Sequence, residues 1–338
     1  MWPRRSACSA FSRVTLVRLD SLVTALMLVQ AHAQEAPASG ARAEPFNAGE
    51  VIIEHVSNSG IDHPLIHLPR ILGIDFSVTK HVLMLWLVAA TVFVVVTWVV
   101  RRYLRQDRLV PSGLMNGLEA VVEFIRDTIV LPNVGRKWVS TWTPLILTFF
   151  IFILCANAIG LIPVFEVVGL LDRFVFRTGP ESFLNQMLHG GTTATANFNV
   201  TAALAAVTFF AIIAAGSKAH GFFRHWKNLV PPGLNPLIYV ILIPIELMGM
   251  FVRPFALTMR LAANMTGGHI AILAILSFVF LFAEMSGQAI AGVGVGLAVS
   301  VPLAVGISAL EIIVVLVQAY VFTLLTAVFI GMAIHVHH

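Results

Sequence analysis

The chain has 338 residues, of which 58% are apolar and only 11% are charged, and its mean hydropathy is +0.89. This composition argues against a water-soluble globular protein. The net charge of +4 does not indicate nucleic-acid binding, because the basic residues occur in short segments beside hydrophobic runs, where they signal membrane topology.

Residues 1–33 have the features of a cleavable signal peptide. Four arginines precede the apolar run LVTALMLV, and the tripeptide AHA at 31–33 fits a signal-peptidase site. This interpretation places the mature amino terminus outside the cytoplasm; an organelle transit peptide or a wrongly assigned start codon is the alternative. Residues 34–79 are polar and acidic and are predicted to form an exposed segment on the outer side.

The membrane domain is predicted to occupy residues 80–335. A first span at about 81–100 ends in the basic cluster RRYLRQDR, which places its carboxyl end inside. Residues 112–131 carry an apolar stripe opposite acidic residues at helical spacing, which predicts an amphipathic helix on the inner surface. The apolar and acidic positions are Leu118, Val121, Val122, Ile125 and Ile129, and Glu119, Glu123 and Asp127.

The remaining spans follow from hydropathy. A second span at about 143–163 returns outward, an outer loop extends to about 199, and a third span at about 200–216 ends at a basic inner segment. Two apolar stretches follow, at about 235–283 and 287–335. Each is too long for one upright helix, so each is either a hairpin of two spans or one strongly tilted helix. The sequence therefore predicts an all-α integral membrane protein with about five to six membrane helices.

Arg260 is a permanent cation inside one of these apolar stretches. Beyond Lys227 only five residues carry a formal charge: Glu246, Arg253, Arg260, Glu284 and Glu311. A charge at the centre of a bilayer costs about 2.5–3.5 kcal/mol on insertion scales, and an arginine cannot lose its proton to avoid that cost. Such a residue usually marks an ion path or a buried partner.

Helical spacing places polar residues on both membrane sides of Arg260. Glu246, Arg253 and Asn264 fall within about 40° of Arg260 around the helix, with Glu246 towards the inside. On the outer side, His269 and Glu311 are expected to meet. Gln318 lies two turns deeper on the face of Glu311. This pattern suits two half-channels that do not join, with Arg260 as the barrier between them.

Structural roles compete with this interpretation. Glu246 and Arg253 can form a buried ion pair, Asn264 and Gln318 can be packing residues, and His269 can be only an interfacial residue. A self-contained ion-coupled transporter is the alternative function, although repeated halves are not evident. No protease or metal-site motif is present, and no cofactor or metal is expected.

Several segments resemble subunit a of the F-type ATP synthase, in the order of that family. They include PSGLMNGLEAVVEFIRDTI, TPLILTFFIFILCANAIGLIP, NFNVT, the core RLAANMTGGH and LEIIVVLVQAYVFTLL. The resemblance covers about 75–335. Asn197 stands where many members of the family have aspartate. Some members also carry the His269–Glu311 pair in the reverse order.

The resemblance implies a role for each polar residue. Arg260 would match the essential arginine that faces the carboxylate of the rotor ring. Asn264, His269, Glu311 and Gln318 would match the outer half-channel, and Glu246 the inner one, with Arg253 as a further candidate.

The resemblance also implies the setting of the chain. It implies two strongly tilted carboxyl-terminal helices against the rotor c-ring, contacts with peripheral-stalk b subunits, and an indirect link to the catalytic sector. The subunit would have no catalytic site of its own. A bacterial inner membrane is expected, with the carboxyl terminus in the cytoplasm and the mitochondrial inner membrane as the alternative.

Overall fold

The computed structural model describes residues 77–105, 112–161, 194–228, 236–286 and 289–335, together with Gly49 and Ile53. The predicted signal peptide, most of the predicted outer segment 34–79 and most of the outer loop lie outside the described residues. Every regular element in the described part of the chain is helical, which confirms the prediction of an all-α protein.

Eight α-helices are described, and we number them in chain order. They are α1 (Lys80–Leu104), α2 (Leu114–Glu123), α3 (Leu131–Val134), α4 (Val139–Gly160), α5 (Phe198–His220), α6 (Phe222–Lys227), α7 (Pro236–Ser286) and α8 (Ala289–Ile334). A π-helical segment, Phe124–Val130, joins α2 to α3, and a short 3-10 turn, Ala194–Ala196, precedes α5.

Five of the helices are long and apolar enough to cross a membrane. The candidate spans are His81–Leu104, Val139–Gly160, Phe198–His220, Leu237–Val279 and Gly296–Ile334. The last two belong to α7 and α8, each of which is one helix and not a hairpin, with 51 and 46 residues. At about 1.5 Å per residue each exceeds a hydrocarbon core of about 30 Å more than twofold. The strong tilt of α7 and α8 stays a prediction.

The described residues belong to two compact units. Unit 1 comprises the described residues within 1–84, 157–194 and 264–314, and unit 2 comprises those within 85–156, 195–263 and 315–338. The main apolar core lies in unit 2, where α4, α5 and the π-helical segment meet parts of α7 and α8. Its largest fully buried side chains are Ile125, Ile129, Ile146, Ile153, Leu257, Leu261 and Ile330.

The amphipathic stripe predicted for 112–131 is recognisable in unit 2. Ile125 and Ile129 are fully buried, whereas Glu123 and Asp127 are exposed. Arg126 donates hydrogen bonds to both carboxylate oxygens of Asp127, at 2.7 and 2.9 Å, and the pKa of Asp127 is lowered chiefly by the Arg126 hydrogen bond. The position of this segment on the inner membrane surface stays a prediction.

Asn197 caps the amino terminus of α5. Its side-chain oxygen accepts a hydrogen bond from the amide of Asn199 at 2.8 Å, while its own backbone is extended. Asparagine and aspartate are equally good at this position of a helix. The departure from the family pattern at Asn197 therefore preserves the capping interaction.

Two histidines and a glycine hold the carboxyl end of α8 within unit 2. His220 Nε2 lies 2.9 Å from the carbonyl oxygen of Ile334, and His335 Nε2 lies 3.1 Å from that of Val134. A Cβ at Gly331 would overlap the backbone carbonyl of Asn133. Backbone atoms cannot rotate away as a side chain can, so this contact requires glycine.

We predict that Gly331→Ala destabilises the chain by about 1–3 kcal/mol, because the added methyl group must displace the Asn133 backbone. Thermal denaturation of the purified full-length protein in detergent measures the effect. Gly306→Ala is the matched control in the same helix, since no atom lies within 4 Å of a Cβ at Gly306. Equal melting temperatures for the two variants would contradict the prediction.

Candidate functional site

Arg260 lies on the exposed side of α7 within unit 2. Met250, Pro254, Leu257 and Leu261 of the same helix are buried, and their spacing of three to four residues fixes which face meets the core. At about 100° per residue, Arg260 lies about 60° from Leu257 and about 100° from Leu261, on the flank of that buried stripe, and its side chain is exposed. The described residues therefore do not enclose the cation.

The surface around Arg260 is apolar. Val252, Phe255 and Met259 are about half exposed. Ala256 and Ala263, one turn before and one turn after Arg260, are also exposed. Small residues on a membrane helix allow a second helix to approach closely. The face thus combines a permanent charge with room for a partner helix.

Arg253 and Glu246, on the preceding turns of α7, are both half-buried. The guanidinium of Arg253 lies over the ring of Phe329, with its central carbon 5.7 Å from the ring centroid. Both side chains are in the described part of unit 2, and no ion pair joins them there. Arg253 is therefore held by a cation–π contact, and the buried ion pair considered from the sequence is not formed.

Gln318 occupies the protein-facing stripe of α8. Its side chain is only 5% exposed, between the buried residues Val315 and Phe322 of the same stripe. The spacing of seven residues from Glu311 places both polar side chains on one face of α8. Both side chains are buried, and their shared place in one half-channel stays a prediction.

In unit 1, Glu311 packs directly against Gly268 of α7. The Glu311 side chain is 8% exposed, and its carboxylate occupies the space that a Cβ at Gly268 would need. Gly268 immediately precedes His269, which is half-buried, whereas Asn264 is exposed. The structure thus brings the Glu311 carboxylate to the segment of α7 that carries His269.

Two further polar residues on α8 were not predicted from the sequence. The hydroxyl oxygens of Ser300 and Ser308 are buried and have no hydrogen-bond partner among the described residues. Other hydroxyls in the spans, such as those of Thr258 and Thr323, donate to the carbonyl four residues earlier. Both serines lie on the buried stripe of α8 that continues to Glu311. Counting the stripe at intervals of three to four residues would have identified them.

The chain was compared with known proteins. The family model for the ATP synthase A chain matches residues 82–331. ATP synthase subunit a 2 of Chlorobium luteolum is 40% identical over 323 residues, which cover 90% of this chain and 84% of the relative. Subunit a 2 of Prosthecochloris aestuarii is 38% identical over 338 residues, covering 96% and 93%. Subunit a of Anaeromyxobacter dehalogenans is 37% identical over 268 residues, covering 78% and 60%.

Five apolar helices, with charged residues retained inside the last two, define a multi-pass membrane protein. The chain belongs to the ATP synthase subunit a family, which confirms the resemblance found in the sequence. Its role is thereby in the membrane sector of the F-type ATP synthase, and the alternative of a self-contained transporter is set aside. The bacterial relatives and the apolar helices indicate the bacterial inner membrane.

We predict that Gly268→Ala lowers ATP-driven proton pumping by the assembled synthase on the order of tenfold. The added methyl group would displace the Glu311 carboxylate, and displacements of about 1 Å at a reacting group commonly have effects of this size or larger. Quenching of a pH-sensitive dye in inverted membrane vesicles measures pumping.

Gly294→Ala is the control for this prediction, because a Cβ at Gly294 meets no atom within 4 Å. Equal amounts of assembled synthase must be present in the vesicles of both variants. Unchanged pumping in Gly268→Ala would show that the position of the Glu311 carboxylate does not matter for proton transfer.

Proposed function

We propose that this chain is the stator subunit that forms two aqueous half-channels and passes protons to and from the carboxylates of the rotor c-ring. Proton flow through the half-channels turns the ring and drives ATP synthesis by the catalytic sector. The subunit itself carries no catalytic site. The observation that carries the proposal is the exposure of Arg260 on an apolar helix face flanked by small residues.

A permanent charge on a lipid-facing surface is costly, so an exposed intramembrane arginine calls for a partner outside the chain. A carboxylate on a helix of the c-ring meets this need, because it supplies an opposite charge. Ala256 and Ala263 leave room for such a helix to approach the guanidinium. The proposed contact therefore satisfies the charge of Arg260 and uses the shape of the face around it.

The positive charge of Arg260 determines whether a proton is released or taken up at the proposed contact. A nearby cation favours the charged form of a carboxylic acid, so a ring carboxyl group that reaches Arg260 releases its proton. The same cation repels a proton that would otherwise cross from one half-channel to the other. Arginine is suited to this role because it remains protonated at any physiological pH. Arg260 thus acts as an electrostatic barrier and does not relay protons.

The outer half-channel is proposed to contain Asn264, His269, Glu311 and Gln318. Histidine and glutamate each gain and lose a proton, and the packing of Glu311 against Gly268 supports a shared role with His269. The unpaired hydroxyls of Ser300 and Ser308 offer additional hydrogen-bonding sites to water along α8.

The inner half-channel is proposed to contain Glu246. Its half-buried side chain lies two turns before Arg253, on the part of α7 nearer the cytoplasm in the proposed topology. The contact of Arg253 with Phe329 favours a structural role for this second arginine. We therefore assign the barrier to Arg260 and the packing contact to Arg253.

The assembly follows from the same assignment. The tilted helices α7 and α8 face the c-ring, and the peripheral-stalk b subunits contact other parts of the chain. The mature amino terminus lies outside and the carboxyl terminus lies in the cytoplasm, with residues 1–33 removed and 34–79 on the outer side. The segment 112–131 lies on the inner membrane surface.

Replacement of Arg260 by alanine is expected to abolish coupled proton pumping, with a loss of about 100-fold or more, because removal of a fixed charge from a charge-transfer site has effects of this size. The measurement is ATP-driven proton uptake by membrane vesicles that contain the assembled synthase. Coupled pumping at the rate of the unchanged protein would refute the role of Arg260.

Arg253→Ala is the matched control, since Arg253 lies on the same helix and also carries a permanent charge. Loss of its cation–π contact is expected to destabilise the chain by about 0.5–2 kcal/mol while coupled pumping persists. An equal loss of pumping in both variants, at equal assembly, would argue that the two arginines share one role.

Exchange of the outer pair tests whether His269 and Glu311 work together. His269→Glu and Glu311→His are each expected to lower pumping strongly, because each leaves two like groups in one site. The double variant restores one acid and one imidazole and is expected to recover part of the rate. A double variant as inactive as either single variant would contradict direct coupling between the two residues.

A further inference from the structure

A cavity of about 480 Å³ lies between the end of α1 and the beginning of α2 in unit 2, and none of the residues assigned to proton transfer is among its described lining residues. Its volume falls in the range of sites that bind small organic molecules. The described lining residues are Trp98, Val99, Arg102, Tyr103, Ser112, Gly113, Leu114 and Met115.

The polar part of the lining suits an oxyanion. The guanidinium of Arg102 lies over the ring of Trp98, with its central carbon 5.3 Å from the ring centroid. Stacking on a ring covers the flat face of a guanidinium and leaves the N–H groups at its edge free to donate. Tyr103 and Ser112 add two hydroxyl groups, and no carboxylate is among the described lining residues.

The cavity lies at the end of the candidate membrane span that α1 forms. Arg101 and Arg102 occupy the last turn of α1, which ends the span His81–Leu104. Trp98, one turn earlier, is 51% exposed, as is usual for tryptophan beside lipid headgroups. Val99, Leu114 and Met115 supply an apolar wall beside the cation. A ligand at this depth can place a charged group on Arg102 and an apolar portion against that wall.

We propose that this cavity binds the phosphate of an anionic phospholipid headgroup from the inner leaflet. A phospholipid and a free phosphate ion share the group that Arg102 would bind, which is a phosphate oxyanion. The volume exceeds the need of a bare phosphate, and the apolar wall matches the glycerol backbone of a lipid. The proposal concerns lipid recognition and is independent of the proposed role of Arg260; its assignment to the inner leaflet rests on the proposed topology.

Arg101 provides a matched control for a test with Arg102. Both arginines lie in the last turn of α1, but only Arg102 lines the cavity. The general attraction of a basic residue to an anionic membrane raises the affinity roughly fivefold, and it is about equal for Arg101 and Arg102. A specific site instead predicts that Arg102→Gln lowers the affinity for the phospholipid about tenfold or more, as expected for loss of a charge-assisted hydrogen bond. Arg101→Gln is then expected to lower that affinity far less.

The experiment uses the full-length protein in nanodiscs of phosphatidylcholine doped with phosphatidylglycerol. Native mass spectrometry after release into detergent counts the phosphatidylglycerol molecules retained by each variant. The expected result is one tightly retained lipid in the unchanged protein and in Arg101→Gln, and its loss in Arg102→Gln. Equal retention by both variants, or equal loss in both, would overturn the site.

Two further arms complete the test. Excess inorganic phosphate is expected to leave the lipid in place; displacement of the lipid by phosphate would overturn a lipid as the occupant. Ser112→Ala removes one hydroxyl from the lining and leaves both arginines unchanged. Ser112→Ala is expected to weaken retention of phosphatidylglycerol by a few-fold at an unaltered melting temperature. Unaltered retention of the lipid would exclude a hydrogen bond from Ser112 to the headgroup.

Discussion

Hydrocarbon cannot solvate a polar side chain, and this constraint organises the spanning helices. On α8, Glu311 and Gln318 lie on the buried stripe, whereas Leu310 and Ile313 face outward. Polar groups of this helix thus lie inside, on a stripe that also buries apolar residues such as Val315 and Phe322. Arg260 on α7 departs from that arrangement, since it is exposed among apolar neighbours. The described residues supply no ion pair for this charge.

The outward direction of Arg260 follows from packing and not from an attraction within its own unit. Leu257 is 2% exposed and Leu261 is fully buried in the core of unit 2; Leu257 lies one turn before Arg260, and Leu261 directly follows it in α7. Rotation of α7 to bury Arg260 would expose these two leucines to the surface and place a charge in an apolar core. The core therefore fixes the orientation of the cation before any partner binds. A preorganised charge of this kind would need little rearrangement to meet the ring carboxylate proposed as its partner.

Much of this arrangement was predictable from the sequence, for identifiable reasons. Long apolar runs predict spans because each must cover about 30 Å, and periodicity placed Glu311 and Gln318 on one face. Length alone could not decide between a hairpin and one helix for 236–286, because Pro244 and Pro254 are compatible with both. Periodicity also could not predict the contact between Glu311 and Gly268. It shows which face of α8 carries Glu311, but not which residue of another helix lies against that face. Ser300 and Ser308 were overlooked because a hydroxyl in a helix usually bonds to its own backbone.

The chemical types of the charged residues match their surroundings. Glu311 can be neutral or charged, so its burial against Gly268 does not commit the protein to a permanently enclosed charge. An arginine in that position would remain charged and would need a fixed buried partner. Conversely, a carboxylic acid on the exposed face of α7 would take up a proton from its surroundings and lose the field that a barrier requires. Under the proposed roles, exchange of the two residue types would remove both functions, because the group proposed to change its charge lies inside and the group proposed to keep its charge lies at the surface.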